Sequence, residues 1–110
     1  MKATITSIEL KGPFQFFMLS LMARKVMKQL KTTDHIDFKN KGFWTKHYTM
    51  TLWESEDEMK KFARSGAHKE VMVNSGQIAK QIRTVTIDAE TLPSWSVAKQ
   101  LLMEGKTINF

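Results

Sequence analysis

Apolar and polar residues alternate over the first ten positions, and this period of two predicts a β-strand at residues 2–10. Gly12 and Pro13 interrupt the pattern, and proline is well suited to the first turn of a helix. From there to about Leu30 the apolar residues recur at spacings of three or four, which predicts an amphipathic helix. The residues expected to face a sheet are Leu19, Met22, Ala23, Val26 and Leu30.

Two more alternating stretches, residues 35–42 and 43–53, predict a β-hairpin. Its turn is expected at Asn40–Gly42, where positive φ is tolerated. Ser55 is followed three residues later by Glu58, which is the capping-box pattern of a helix start. A second helix is therefore predicted directly after the hairpin.

The last third of the chain predicts three further elements. Gly66 is expected to interrupt the second helix, with a short helix continuing over residues 67–74. A strand is predicted at residues 81–89. The closing helix is expected to be capped by Ser94 and stopped by Gly105.

The predicted order of elements is βαββαβ followed by a C-terminal helix, which is typical of an α+β, ferredoxin-like fold with an antiparallel sheet. A chain of 110 residues has the length of one domain, so residues 1–110 are expected to form a single domain. A domain this small buries a limited share of its surface, and a shared core would stabilise it. We therefore expect a homodimer.

Alternation within the strands assigns the side chains to two faces of the sheet. The apolar face carries Ala3, Ile5, Met50, Leu52, Val85 and Ile87. The other face, which we call the threonine face, carries Thr4, Thr6, His47, Thr49, Thr51, Trp53, Thr84 and Thr86. We expect the two helices of the βαββαβ unit to pack on the apolar face. The threonine face is then either a solvated surface or, when two sheets close face to face, the lining of a semi-polar cavity.

Composition removes several function classes. The chain contains no cysteine, which excludes disulfides, thiolate nucleophiles and cysteine-bound metals, and its three histidines lack metal-ligand spacing. The net charge of +6 comes from scattered lysines without a dense basic run, so nucleic acid is not the favoured partner. The N-terminus lacks the apolar core of a signal peptide, and the apolar stretch at residues 14–22 is too short to span a bilayer. We expect a cytoplasmic protein with no membrane partner.

The segment FWTKHYTMTLWESEDEMKKFARSGAHKEVM, residues 43–72, resembles the uncharacterised family related to spheroidene monooxygenase. The preceding LMARKVMKQL and the later LPSW also resemble that family, which is similar to a branch of the dimeric α+β barrel superfamily. That superfamily includes antibiotic-biosynthesis monooxygenases and haem-degrading oxygenases. The resemblance implies a ferredoxin-like protomer, a homodimer, and a cavity beside the sheet for a bulky apolar or aromatic substrate.

The resemblance also implies two functional residues, Trp53 on a strand and His68 after the second helix, because they match the tryptophan and histidine of the haem-handling branch. Haem-degrading relatives also carry an asparagine on the first strand, where this chain has Thr4 and Thr6. The cofactor is therefore either haem or none.

The residues leave the chemistry of the site open. His68 is a candidate axial ligand of haem, a general base towards a phenolic substrate, or a packing residue without chemistry. Trp53 is either a cofactor contact or a core residue. Arg24 and Arg83 are candidate anchors for a carboxylate, since guanidinium offers two parallel donors, and each is equally consistent with a surface position. The function is expected to be monooxygenase-like, and the alternative is a non-catalytic carrier or sensor that uses the same cavity, lined by Thr6, His47, Thr49, Thr51 and Thr84.

Overall fold

The computed structural model describes residues 1–43, 45–64 and 75–110. Its strands are β1 (Lys2–Leu10), β2 (Asp37–Phe43), β3 (Lys46–Trp53), β4 (Ala79–Asp88) and β5 (Lys106–Asn109). Its α-helices are α1 (Gln15–Leu30), α2 (Glu56–Ala63) and α3 (Trp95–Met103), and one turn of 3₁₀-helix spans Ser75–Gln77. The short helix predicted at residues 67–74 lies outside the described residues.

The strands form one sheet in the order β2-β3-β1-β4-β5, and all neighbours are antiparallel. Central β1, with β3 on one side and β4 on the other, is the arrangement of the ferredoxin-like α+β fold. That predicted fold class is confirmed. β5 was not predicted, and it extends the sheet at the β4 edge by pairing Lys106 to Asn109 with Thr84 to Gln81.

Serine side chains start two of the helices as predicted. The Ser55 hydroxyl accepts a hydrogen bond of 3.3 Å from the backbone N–H of Glu58, and the Ser94 hydroxyl accepts one of 3.3 Å from that of Val97. Such caps satisfy backbone donors that have no partner within the helix. The acidic residues Glu56, Asp57 and Glu58 occupy the first turn of α2, where they interact favourably with the helix dipole.

The prediction that the hairpin turns at Asn40–Gly42 is wrong. β2 continues to Phe43, and Gly42 pairs directly with His47 across the ladder. A Cβ atom on Gly42 would overlap the His47 ring, so a glycine is needed here to make room for that ring. The local turn signal of the glycine is therefore overridden by pairing across the sheet.

The predicted placement of the helices is also wrong. The core on the apolar face is formed by Ala3, Ile5, Met50 and Leu52 with Leu92, and by Ala98 and Leu102 of α3. The contacts of α1 and α2 are instead with the threonine face, where Met59 touches Thr4 and the Phe16 ring lies beside that of His47. The C-terminal helix is the element that covers the apolar face. The threonine faces of two copies therefore cannot close directly on each other.

Gly105, between α3 and β5, is expected to be sensitive to substitution. A Cβ atom there would lie 2.5 Å from the backbone oxygen of Thr84 and 3.0 Å from Cβ of Val85. Because backbone cannot move aside as a flexible side chain does, Gly105→Ala is expected to lower the free energy of unfolding by about 1–3 kcal/mol. Urea denaturation followed by circular dichroism measures the change.

Gly12→Ala is the matched control for this prediction. A Cβ at Gly12 meets only Oε1 of Gln15, at 3.3 Å, and that atom ends a flexible side chain. We expect Gly12→Ala to stay within about 0.5 kcal/mol of the unmodified protein. Equal losses for both variants would contradict the close approach of Gly105 to β4.

Candidate functional site

Two rows of paired threonines cross the middle of the threonine face. They are Thr49, Thr6 and Thr84 in one row, and Thr51, Thr4 and Thr86 in the next. The hydroxyl oxygens of Thr6 and Thr84 lie 3.3 Å apart. Those of Thr4 and Thr86 are 3.5 Å apart. The face is therefore a regular array of short hydroxyl side chains, each with a methyl group beside its oxygen.

Helix α2 closes one part of this array through Met59. The Thr4 hydroxyl donates to Sδ of Met59 at 2.6 Å, and the Thr86 hydroxyl lies 3.7 Å from the same sulfur. Sulfur is a polarisable, weak acceptor, so it covers the hydroxyls without an unfavourable polar contact. The i,i+3 spacing of Met59 and Phe62 is the sequence signal that indicates a shared face of α2 towards the sheet.

The rest of the array stays accessible. Thr49 is exposed, and Thr6, Thr51 and Thr84 are half-buried, although α1 and α2 make contacts on this same face. We call this accessible part, with Thr6, Thr49, Thr51 and Thr84 as its floor, the threonine cleft. His47 lies at one end of the cleft and Trp53 at the other, because they are the next residues of β3 on this face.

Trp53 is almost fully enclosed, with 2% of its surface exposed. Its ring centroid lies 5.2 Å from that of Phe62 and 6.2 Å from that of His35. Aromatic pairs at these separations add packing energy to the burial. Trp53 therefore forms an end wall of the cleft as part of an aromatic cluster, and its predicted contact with a cofactor stays a prediction.

His47 is half-buried at the opposite end. Its ring centroid is 5.6 Å from that of Phe16, and the ring lies over Gly42, whose missing side chain leaves the space for it. Phe16 was seen in sequence only as part of an apolar stretch, and no local signal distinguishes it from its neighbours. The pair gives this end of the cleft one titratable ring beside one apolar ring.

His35, in the loop after α1, packs against the tryptophan at the end of the cleft. The residue is half-buried, with its ring edge towards Trp53 and its Nδ1 3.1 Å from the Thr33 hydroxyl. Because that hydroxyl donates to the Leu30 carbonyl at 2.6 Å, Nδ1 of His35 is the donor in the contact with Thr33. The loop after α1 is thus tied to the aromatic cluster.

The structure places the two arginines expected as anchors differently. Arg83 pairs with Ser7, so it is on the apolar face, opposite the cleft, and its Nε is buried without a hydrogen-bond partner in the described part of the chain. Arg24 is exposed on α1, and its role as an anchor stays a prediction. His68 lies outside the described residues.

Charged groups frame one end of the threonine face. Nζ of Lys2 and Oδ1 of Asp88 form an ion pair at 2.6 Å, beside Trp53 in the register of the sheet. The hydrogen bond between them, and then the attraction of the two charges, raises the pKa of Lys2 and lowers that of Asp88. This pair links β1 to β4 and leaves the hydroxyls as the polar groups of the cleft floor.

Neither metal nor membrane-spanning features are found in the described residues. Within residues 1–43, 45–64 and 75–110, no group of three or more histidine or carboxylate side chains could hold a metal ion. No helix of that part of the chain is both long and apolar enough to cross a membrane. Of the histidines that the structure describes, His35 is held by Thr33 and Trp53, and His47 lies against Phe16.

Comparisons with known proteins add fold information. No protein-family model matches the chain, and no curated protein matches its sequence. Similar solved structures include an antibiotic biosynthesis monooxygenase (11% identity, TM-score 0.72, covering 84% of this chain and 100% of that one). Rv0793 from Mycobacterium tuberculosis is similar at 9% identity and a TM-score of 0.73, with 84% and 98% of the two chains covered. SnoaB from Streptomyces nogalater, a cofactor-independent oxygenase, is similar at 10% identity and a TM-score of 0.65, with 84% and 97% covered.

Identities this low establish the fold and leave the chemistry of the site to its own residues. The resemblance to the family related to spheroidene monooxygenase stays a prediction. The expected fold is confirmed: the chain has a ferredoxin-like α+β fold similar to that of the antibiotic biosynthesis monooxygenase and of SnoaB.

Proposed function

We propose that this protein is a monooxygenase-like enzyme that binds a bulky aromatic substrate in the threonine cleft. The observation that carries the proposal is that the threonine face lies beneath α1 and α2 while Thr49 stays exposed and Thr6, Thr51 and Thr84 stay half-buried. A threonine array on an outer surface would need no explanation beyond solvation. An array roofed by helices forms a concave site, which is where small molecules bind.

The chemistry of the cleft favours a flat aromatic ligand that carries oxygen atoms. Met59, Phe16 and the threonine methyl groups offer apolar contact at its edges. Hydroxyls of Thr6, Thr49 and Thr84 are donors and acceptors that suit phenolic or carbonyl oxygens. A polycyclic phenol or ketone combines both kinds of surface, and the absence of a positive side chain on the described floor fits a neutral ligand.

We propose that oxidation proceeds without a cofactor, as in SnoaB by its description. A base removes a proton from an acidic CH₂ of the substrate, and the carbanion transfers an electron to O₂. Recombination forms the C–O bond of a hydroperoxide, which loses water to leave a carbonyl. The net change converts CH₂ and O₂ into C=O and H₂O, so atoms and electrons balance. His68 and His47 are the candidate bases, since a neutral imidazole nitrogen accepts a proton.

The protein is also proposed to act as a homodimer, and a strict monomer in light scattering across the micromolar range would contradict this part.

The alternative function is a carrier or sensor that binds the same ligand class unchanged. The hydrogen bond between Thr6 and Thr84 favours this alternative, because it shows that two floor hydroxyls are satisfied by the protein itself. Turnover separates the two functions, since a carrier returns its ligand unmodified after aerobic incubation.

Filling the cleft is expected to weaken ligand binding. Thr49 is exposed on the cleft floor, so Thr49→Phe inserts a ring into the site without burying a polar group. Overpacking costs about 1–3 kcal/mol, and the dissociation constant for 9,10-anthraquinone should therefore rise by about 5- to 150-fold. Calorimetric titration measures this affinity. Oxygen uptake with 9(10H)-anthracenone, whose CH₂ is acidified by two rings and a carbonyl, measures turnover.

Thr107→Phe is the matched control. Thr107 is an exposed threonine of the same sheet, but it pairs with Arg83 and so lies on the opposite face. We expect this variant to keep both affinity and oxygen uptake. If the two variants bind anthraquinone equally well, the threonine cleft is not the binding site.

A further inference from the structure

The outward side of α1 has an unusual distribution of side chains. Phe17, Leu21, Arg24 and Lys28 follow one another at spacings of four, three and four, so they form one line along the helix. Phe17 is 70% exposed and Leu21 61% exposed. Phe14, just before the helix, is 81% exposed. The first half of this line is therefore apolar and the second half is basic.

The apolar half contains several large side chains that are exposed to solvent. Met18, 45% exposed, extends it beside Phe17 and Leu21. The inward side of the same helix is already occupied, because Leu30 is buried and Leu19, Met22 and Val26 are half-buried. Contiguous exposed aromatic and aliphatic side chains of this kind mark an interaction surface.

The charges along α1 and its flanking residues have a single sign. Lys11, Arg24, Lys25, Lys28 and Lys31 lie between Leu10 and Thr32, and no aspartate or glutamate occurs between Glu9 and Asp34. A protein partner of ordinary composition carries both positive and negative side chains, so a helix that binds it would be expected to carry both signs of charge as well. A second α1 would bring cations near cations, which is unfavourable. An anionic lipid surface offers what the helix lacks, namely negative charge next to hydrocarbon.

We propose that α1 docks the protein on the surface of an anionic membrane, with the end that carries Phe14, Phe17 and Leu21 dipping into the interface. Phe17 and Lys28 are 11 residues apart, which is about 16 Å along a helix. That length allows the aromatic end to enter the boundary between headgroups and acyl chains while the basic end remains among the phosphates. A 16-residue helix that lies on a membrane does not cross it. The proposal departs from the expectation that the protein has no membrane partner, which considered only spanning segments.

The apolar end of α1 lies next to the threonine cleft, which suggests that docking delivers the substrate. Phe16 lies between the outward aromatic residues and the cleft, with its ring 6.3 Å from that of Phe17 and 5.6 Å from that of His47. The docked end of α1 is thus also the His47 end of the threonine cleft. Delivery of an apolar substrate from the lipid to the cleft rests on the proposed function, whereas docking itself does not.

Flotation of the full-length protein with vesicles tests the docking. We expect binding to vesicles of phosphatidylcholine with about a third phosphatidylglycerol, and little binding to phosphatidylcholine alone. Phe17→Ser combined with Leu21→Ser should lower the partition coefficient about tenfold or more. Arg24→Gln and Lys28→Gln should each lower it about fivefold at low salt, and added salt should remove that difference.

Two substitutions elsewhere serve as controls. Met103→Ser removes a side chain that is 74% exposed on α3, and Lys80→Gln removes an exposed cation of β4. Both should bind vesicles as the unmodified protein does. The proposal is overturned if anionic vesicles are not bound, or if the control variants lose as much binding as the α1 variants. It is also overturned by a combination of two results: no variant changes flotation, and light scattering shows a dimer that the double substitution Phe17→Ser with Leu21→Ser dissociates. The partner of this surface is then a second copy of the chain. Anthraquinone affinity is measured on the same α1 variants. A variant that loses flotation and keeps its anthraquinone affinity has lost docking and kept the cleft, so the two proposals fail separately.

Discussion

Replacement of Trp53 by alanine is expected to lower the free energy of unfolding by about 3–5 kcal/mol. The tryptophan is 2% exposed, and its ring packs against Phe62 of α2 and against His35 in the loop after α1. Removal of the ring thus leaves a cavity between the sheet, α2 and the loop after α1. Stabilities of globular domains are about 5–15 kcal/mol, so this loss is a large fraction of the total.

Trp95→Ala provides the matched control for that prediction. Trp95 begins α3 on the other side of the sheet, is half-buried, and has its ring 6.3 Å from that of Tyr48. Because less of it is enclosed, its truncation should cost clearly less. Urea denaturation at fixed protein concentration measures both variants, since association would otherwise shift the result.

The same experiment decides between the two interpretations of Trp53. A core residue lowers stability when it is truncated, and Trp53→Phe should recover part of the loss because a ring still fills the site. A residue that serves mainly to contact a ligand would change affinity while the unfolding midpoint stayed constant. If Trp53→Ala unfolds no more easily than Trp95→Ala, the aromatic cluster does not hold the helices to the sheet.

The order of elements was predictable from sequence because each element has a strong local pattern. Alternation over β1 and the serines before α2 and α3 were sufficient, and they need no knowledge of the rest of the chain. The turn between β2 and β3 was not predictable from Asn40 to Gly42. There the glycine serves the His47 ring on the neighbouring strand, which is a long-range requirement. β5 was missed because all four of its residues are exposed and show no alternation of burial.

Membership of the threonine face was also predictable, whereas the elements that cover it were not. Strand alternation places Thr6, Thr49 and Thr84 on one side and Arg83 on the other, as the register has them. Which side receives α1 and α2 depends on how the connections cross the sheet, and a strand's own sequence does not record this. The sheet patterns suggested that helices seek the more apolar side. That side is taken by α3, whose Ala98 and Leu102 complete the core there.

Oxygen uptake with 9(10H)-anthracenone is expected to fall by about 10²- to 10⁴-fold in His68→Ala, the range that a general base contributes. His68 lies outside the described residues, so this expectation rests on the chemistry of imidazole and on the resemblance that singles out this histidine. A neutral imidazole accepts the substrate proton, so the rate should rise with pH as the imidazole loses its own proton. The variant should lose that pH dependence, keep its affinity for anthraquinone, and regain part of its rate with added imidazole.

His47→Ala is the comparison that makes the test decisive, because His47 is the described histidine at the threonine cleft. If His68 is the base, His47→Ala should change oxygen uptake far less than His68→Ala does. A loss confined to His47→Ala would transfer the role of base to the strand residue beside Phe16 and would contradict the role of His68. Unchanged uptake in both variants, with turnover still present, would exclude histidine as the base. An absence of turnover in the unmodified protein, with anthraquinone still bound, would instead identify the cleft as the site of a carrier, because binding then occurs without proton transfer.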